Sequence, residues 1–284
     1  MEREFLKYKI VIDSCGELLQ SWKQDPRFVS IPFVMTVDDV DIIDDENFDQ
    51  MDFLKRVAAS PECPKSACPS PESYRMAAQG DAERVYIVTI SANLSGSYNS
   101  AQLGRSLALE EAPDKKIHVF NSCSASIGET LIAMKIVECE EAGLPFEEIV
   151  STVEAYIESQ HTFFVLENLE TLRKNGRLSG IKAFVASALK IKPVMGSTPD
   201  GSIQQIDQAR GINKAMVKMA DYVVGSVTDS KERILAISHC NCAQRAQMLK
   251  EALMGRKQWK DVVVLDTAGL SSMYANDGGV IVVV

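Results

Sequence analysis

Residues 85–101 read VYIVTISANLSGSYNSA, an apolar and largely β-branched run that ends at Ile90 and opens into a serine-rich turn hinged at Gly96. Such a run predicts a buried strand, and the turn leads into a helix that begins near Ser97. Ser95 and Ser97 stand beside the unpaired N–H groups of that helix's first turn, an arrangement that holds a carboxylate or phosphate oxygen. Four serines fall within residues 91–100, enough to coordinate an oxyanion without a metal. Taken alone, the turn is equally an ordinary serine-capped strand-to-helix loop.

The same strand–loop–helix pattern recurs outward from it. Upstream, KIVIDS (residues 9–14) is a short apolar strand ending in Asp13 and Ser14, which either join the polar end of a pocket or cap their own loop. Downstream, KIHVF (116–120) is closed by the hydroxyl-dense NSCSAS (121–126) before a helix over 127–142. Apolar strands whose C-terminal ends carry polar loops belong to a parallel sheet with its ligand crevice at those ends. Between them, residues 28–37 read as a strand interrupted by Pro32, and the acidic stretch 38–46 precedes a helix at about 47–58. A calcium loop there would need a glycine at its sharp turn, and none is present. PECPKSACPSP (61–71) reads as a proline-rich connection that turns Ser66 and Ser70 inward ahead of a helix starting after Pro71.

The second half alternates differently. A strand at 162–166, a short helix stopped by Gly176, an apolar helix over 183–190 and a strand at 191–195 lead to the hairpin turn TPDG (198–201). Strands at 202–207, 233–238, 262–265 and 280–284 then flank helices at 212–226 and 243–254. Hairpins mixed with crossover helices predict a mixed sheet. The fold expected is therefore α/β in two domains: a Rossmann-like parallel-sheet domain over 1–159 and a mixed-sheet α/β domain over 160–284.

Composition narrows the function. The formal charge of -9 comes from 39 acidic against 30 basic residues, with no Lys/Arg cluster longer than two, so nucleic acid is excluded as a partner. No apolar stretch approaches the length of a membrane span, and the charged start MEREFLKYKIVIDS lacks a signal-peptide core, which predicts a cytoplasmic protein. Seven scattered cysteines fit reduced thiols. His239, Cys240 and Cys242 crowd too closely to surround one tetrahedral metal ion and read as the end of a core strand. Arg177, just after Gly176, reads as a cation at a helix C-terminus in preference to a residue of the cleft.

Taken together, the chain resembles the DegV family of bacterial fatty-acid-binding proteins. Five collinear stretches carry the resemblance: IDS (12–14), PKSACPSP (64–71), LSGSYNSA (94–101), NSCSASIG (121–128), and ENLETLRKNGRLSG (167–180) running on to IKPV (191–194) and Asp200-Gly201. The resemblance implies two α/β domains enclosing an apolar tunnel, no cofactor, and a non-catalytic carrier. One buried fatty acid is offered by its carboxylate to a separate fatty acid kinase that makes the acyl phosphate. The family's carboxylate-binding threonine falls on Ser66, the serine of its LSGT stretch falls on Ser95, and Gly96 and Ser97 complete the polar shell. The arginine that some carriers use toward the kinase falls on Arg210. Many members have a histidine near the C-terminus where this chain has Tyr274, which still offers a hydrogen-bond donor. About fifteen methylenes buried at ~0.8 kcal/mol each give on the order of 12 kcal/mol before ordering costs, so affinity comes from the tunnel and the hydroxyls fix polarity. Two other readings remain: an esterase or acyl transferase using Ser95, although its surroundings lack the G-x-S-x-G elbow, and a lipid-responsive regulatory protein.

Overall fold

The computed structural model describes residues 6–178 and 190–284. The helix expected over 183–190 falls almost wholly outside those residues. Strands β1 (Tyr8–Asp13), β2 (Phe28–Ile31), β6 (Arg84–Thr89) and β7 (Lys116–Asn121) form a parallel sheet in the order β2-β1-β6-β7. Side chains alternate across it as the two-residue period demands. Val11, Val85, Ile87, Ile117 and Val119 pack toward Tyr74 and Ala101, of helices α2 (Pro71–Ala78) and α3 (Ser97–Glu111). Ile10, Ile12, Tyr86, Val88 and Phe120 pack on the opposite face against α4 (Ile127–Glu141) and α5 (Phe146–Glu158). A sheet covered on both faces reads as continuous apolar runs, which is why these strands were plain in the sequence.

Helix α3 lies close on α2 because Gly104 has no side chain. A Cβ there would stand 2.6 Å from both the Pro71 carbonyl oxygen and the Tyr74 Cβ. Gly104→Ala improves helix propensity by up to about 1 kcal/mol, but the clash with backbone costs more, so a net loss of roughly 1–2 kcal/mol is expected in urea denaturation. Equal or greater stability of the variant would show that the two helices are not in this contact.

A second, mixed sheet has the order β10-β9-β8-β13-β11-β12, from β8 (Thr162–Val165), β9 (Ile191–Ser197), β10 (Ile203–Arg210), β11 (Ile234–His239), β12 (Asp261–Asp266) and β13 (Val280–Val283). Only β11 and β12 run parallel; the remaining pairs are antiparallel. One face buries Phe163, Val165, Val280 and Val282 against α7 (Ile212–Ser226) and α8 (Ala243–Met254). On the other face Ala236 and Val283 meet Ile127 and Leu131 of α4. Helix α4 is thus buried from two sides, consistent with apolar residues all round its circumference.

Three elements depart from the sequence reading. The acidic stretch contains a strand, β4 (Val40–Ile43), paired with β3 (Val34–Val37) through a turn in which Asp38 and Asp39 take φ of 48° and 61°; aspartate tolerates this left-handed region better than most residues. The connection at 61–71 contains β5 (Lys65–Ala67), which completes a three-stranded sheet β4-β3-β5 beside α1 (Gln50–Ala59). Ser70 does not turn inward but caps α2, accepting the Ser73 N–H at 3.1 Å. Late in the chain a short helix, α9 (Gly269–Ala275), follows β12. Buried Asp44 accepts the Gly269 and Leu270 N–H groups, each at 2.7 Å, and the Ser14 hydroxyl at 2.8 Å. That carboxylate ties the end of β1, the small sheet and α9 together, and Ser14 is a structural cap.

Candidate functional site

The C-terminal ends of β1, β6 and β7 face the second sheet across an apolar cavity, the usual character of a small-molecule pocket. Cys15, Ile90 and the 123–126 loop line one side; Phe164, Leu166, Ile203 and Ile281 line the other; Leu172, Leu270 and Ala275 close it. The alternation of β8 and β13 decides this lining, since Phe163 and Val282 point to the helices while Phe164 and Ile281 point into the space. A lining of this kind suits an alkyl chain.

One end of it is polar. Helix α6 (Glu170–Lys174) ends at Gly176, whose φ of 77° suits glycine, and the Arg177 N–H closes the turn on the Leu172 carbonyl at 2.8 Å. Arg177 then turns its guanidinium into the mouth of the cavity. Nε donates to the Leu94 carbonyl at 3.1 Å, Nη1 donates to the Asn175 carbonyl, and the group lies 5.9 Å from the centre of the Tyr274 ring. Among the described residues no carboxylate pairs with it. The Tyr274 hydroxyl is 3.4 Å from that of Ser66, which β5 holds opposite Met35 of β3. At 3.4 Å the pair makes a long contact, and both hydroxyls have capacity to donate to a third oxygen. A cation with two hydroxyls at the end of an apolar space recognises an amphiphile with a single anionic head.

The serine turn takes its place beside this mouth. Leu94 lines the cavity, and the half-buried Ser95 accepts the Ser97 N–H at 3.2 Å through its Oγ, leaving its own hydroxyl proton to donate. Gly96 precedes the first turn of α3 and is exposed. Ser97 differs from expectation: it is buried, and its hydroxyl sits between Tyr74 and Asp13, away from the mouth. From the far side the 198–201 turn clasps the loop, with Ser91 Oγ donating to the Gly201 carbonyl at 2.9 Å and Asn93 Nδ2 to that of Asp200 at 2.7 Å. Arg210 is exposed at the other end of β10 from Ile203, roughly 20 Å along the strand, and takes no part in the cavity.

No histidine among the described residues serves Ser95. His118 faces Glu154 at 2.9 Å and His239 faces Asp266 at 3.0 Å, while burial and the Arg233 charge lower the pKa of His161 beside β8. What the sequence reading missed is the set of acids that join Asp13 beneath the loops: Glu17, Asp44 and Glu129 are buried with it. Burial pushes Glu17 up to about 8 and Asp44 to about 6, against the hydrogen bonds each accepts. An acid inside an otherwise apolar helix, as in IGETLIAMKIV (127–137), was the available signal.

Comparison with known proteins follows the same lines. The family model described as "Uncharacterised protein, DegV family" matches residues 7–283. A DegV domain-containing protein of Streptococcus pneumoniae is 35% identical over 278 residues, 97% of this chain and 98% of that one. A crystal structure of a DegV family protein from Ruminococcus gnavus with vaccenic acid is 53% identical, with a TM-score of 0.96 over 99% of this chain and 100% of that one. The Streptococcus pneumoniae Fatty Acid Kinase (Fak) B3 protein loaded with linoleic acid is 34% identical, with a TM-score of 0.89 over 98% and 99% of the two chains.

Proposed function

This chain belongs to the DegV family, and from that premise we propose that it is a non-catalytic cytoplasmic carrier of one long-chain fatty acid. The alkyl chain lies in the cavity between two units, residues 1–159 and 160–284. The carboxylate sits at Arg177, Tyr274 and Ser66, with the Ser95 hydroxyl from the adjoining loop. The observation that carries this reading is the guanidinium at the mouth of an otherwise apolar cavity, without a carboxylate of its own among the described residues. A fatty carboxylate entering there exchanges water for charge-assisted hydrogen bonds, which offsets its desolvation. Likeness to the B3 protein supports presentation of the carboxylate to a fatty acid kinase, with exposed Arg210 as a contact for that partner. Among the described residues no helix is long and apolar enough to cross a membrane.

The test is direct. Stripped of lipid, the protein is expected to bind oleate at least about tenfold more tightly than the alcohol of equal chain length near neutral pH, since one charge-assisted contact contributes roughly 1.5 kcal/mol or more. Equal affinities would sink the head-group assignment, and absence of binding to both would sink the carrier reading. Loaded protein mixed with a fatty acid kinase and ATP should yield acyl phosphate; a lipid-bound protein that never supports it is a regulator instead.

A further inference from the structure

Behind the cavity wall, Asp13, Cys15 and Glu129 bring one ligand atom each within 4.8 Å of one another, and all three side chains are buried. Asp13 Oδ2 accepts the Ile90 N–H at 3.0 Å and the Ser97 hydroxyl, while Oδ1 accepts the Cys15 N–H at 3.2 Å. A single carboxylate thereby holds both ends of the 90–97 loop that presents Leu94 and Ser95. Glu129 reaches it from the first turn of α4, in space that Gly16 leaves open: a Cβ at Gly16 would stand 2.9 Å from the Glu129 Cβ.

Neither Glu129 oxygen meets a hydrogen-bond donor from an amide, hydroxyl or amine. A fully buried carboxylate that no side chain or backbone group serves is too costly to persist as an ion, and a second charge beside Asp13 adds repulsion. The titratable groups around the pair are Cys15, Glu17, Asp44 and, across Ser97, Tyr74, all of them acids. Either a proton or a cation must therefore occupy the pair. A metal ion fits poorly, because three hydrogens already point at Asp13 and take most of its lone pairs. Burial and the neighbouring acids also push the Cys15 thiol up, away from the thiolate that metals bind. A proton fits: Asp13 Oδ1 has room for one more hydrogen bond.

We propose that Asp13 is the positioning residue of the carboxylate-binding loop, and that a protonated Glu129 holds Asp13 in place by donating its hydrogen to it. The proposal rests on the fatty-acid reading above for its effect on binding. Its test uses lipid-stripped protein, oleate as the probe, and the variants Asp13→Asn, Glu129→Gln and Glu129→Leu. Asp13→Asn is expected to weaken oleate binding about tenfold or more, since an amide turns a donor toward N–H and O–H groups that need an acceptor. Glu129→Gln keeps a donor facing Asp13 and should stay within about threefold of wild type, whereas Glu129→Leu, with no donor, should fall as Asp13→Asn does. In the infrared, wild type minus Glu129→Gln should show the C=O stretch of a protonated carboxyl near neutral pH.

Were Asp13→Asn not to fold, the contrast between glutamine and leucine at 129 decides. Binding by Asp13→Asn at wild-type strength, equal binding by Glu129→Gln and Glu129→Leu, or a stoichiometric metal in wild type that Glu129→Gln lacks would each overturn the proposal. Failure of wild type to bind oleate strikes the carrier reading alone, and the infrared band then decides the acid pair by its presence or absence.

Discussion

Arg177→Met is expected to weaken oleate binding by roughly 30- to 150-fold, the equivalent of about 2–3 kcal/mol, while leaving affinity for the matching alcohol nearly unchanged. Methionine keeps most of the apolar stem, so the cavity wall survives and only the charge and its donors go. Ser66→Ala and Tyr274→Phe each remove one neutral hydroxyl and should cost about 0.5–1.5 kcal/mol, or two- to tenfold. The ranking follows from charge: hydrogen bonds to an ion from a guanidinium are roughly twice as strong as neutral ones, and this guanidinium meets only carbonyls and an aromatic ring among the described residues. Loss of its bonds to the Leu94 and Asn175 carbonyls should lower folding stability by only about 1 kcal/mol. Should Arg177→Met retain the preference for acid over alcohol, the carboxylate sits elsewhere.

The parallel sheet was legible because its central strands, β1 and β6, are buried on both faces and so written as nearly unbroken apolar runs. The β9–β10 hairpin of the second sheet was legible for another reason, the turn residues of TPDG at 198–201. Strand β4 was not, since three of its four residues are exposed and its acids look like a loop. Helix α9 was missed for a different reason: seven residues give no period to read, and its N-terminus is satisfied by Asp44, more than 200 positions upstream. At the site, sequence placed Ser95, Gly96 and Ser97 together without being able to say which hydroxyl turns inward. The answer lay in Asp13, 84 positions from Ser97, which claims that hydroxyl for the core. Arg177 was read as a helix-end cation, and its backbone does close α6. Only the approach of Leu94, 83 positions away, places its side chain beside the cavity. Local pattern thus gave the elements and the candidate loop, while long-range contacts decided each residue's direction.

Glu17 supplies the last expected result: the stability of the lipid-stripped protein falls as pH rises from about 4.5 to about 8, and Glu17→Gln removes much of that fall. The sign follows from linkage. Burial raises the folded-state pKa from 4.5 to about 8, so within that window the folded protein holds a proton that the unfolded chain has released, and stability drops with rising pH. Over the whole window the loss amounts to about 3–5 kcal/mol, at 1.36 kcal/mol for each pH unit of separation. Asp44, raised to about 6, acts in the same direction at the acid end. Carboxylates whose pKa is lowered by arginine or lysine, such as Glu167 and Asp229, act in the opposite direction, but their contribution is already complete above about pH 5. His161, whose pKa burial and Arg233 lower, also opposes the fall as pH rises through the histidine range, so the comparison with Glu17→Gln, which leaves His161 in place, isolates the Glu17 part. Glutamine keeps the oxygen that accepts the Ser126 hydroxyl at 2.7 Å and replaces the unpartnered Oε2 with a neutral group, as protonation does. Wild type and Glu17→Gln should therefore melt together near pH 4.5 and diverge by roughly 10 °C near pH 8, at about 2–4 °C per kcal/mol for a chain of this size. Melting curves that stay parallel across that range would mean that Glu17 is ionised in the folded protein and that burial does not raise its pKa.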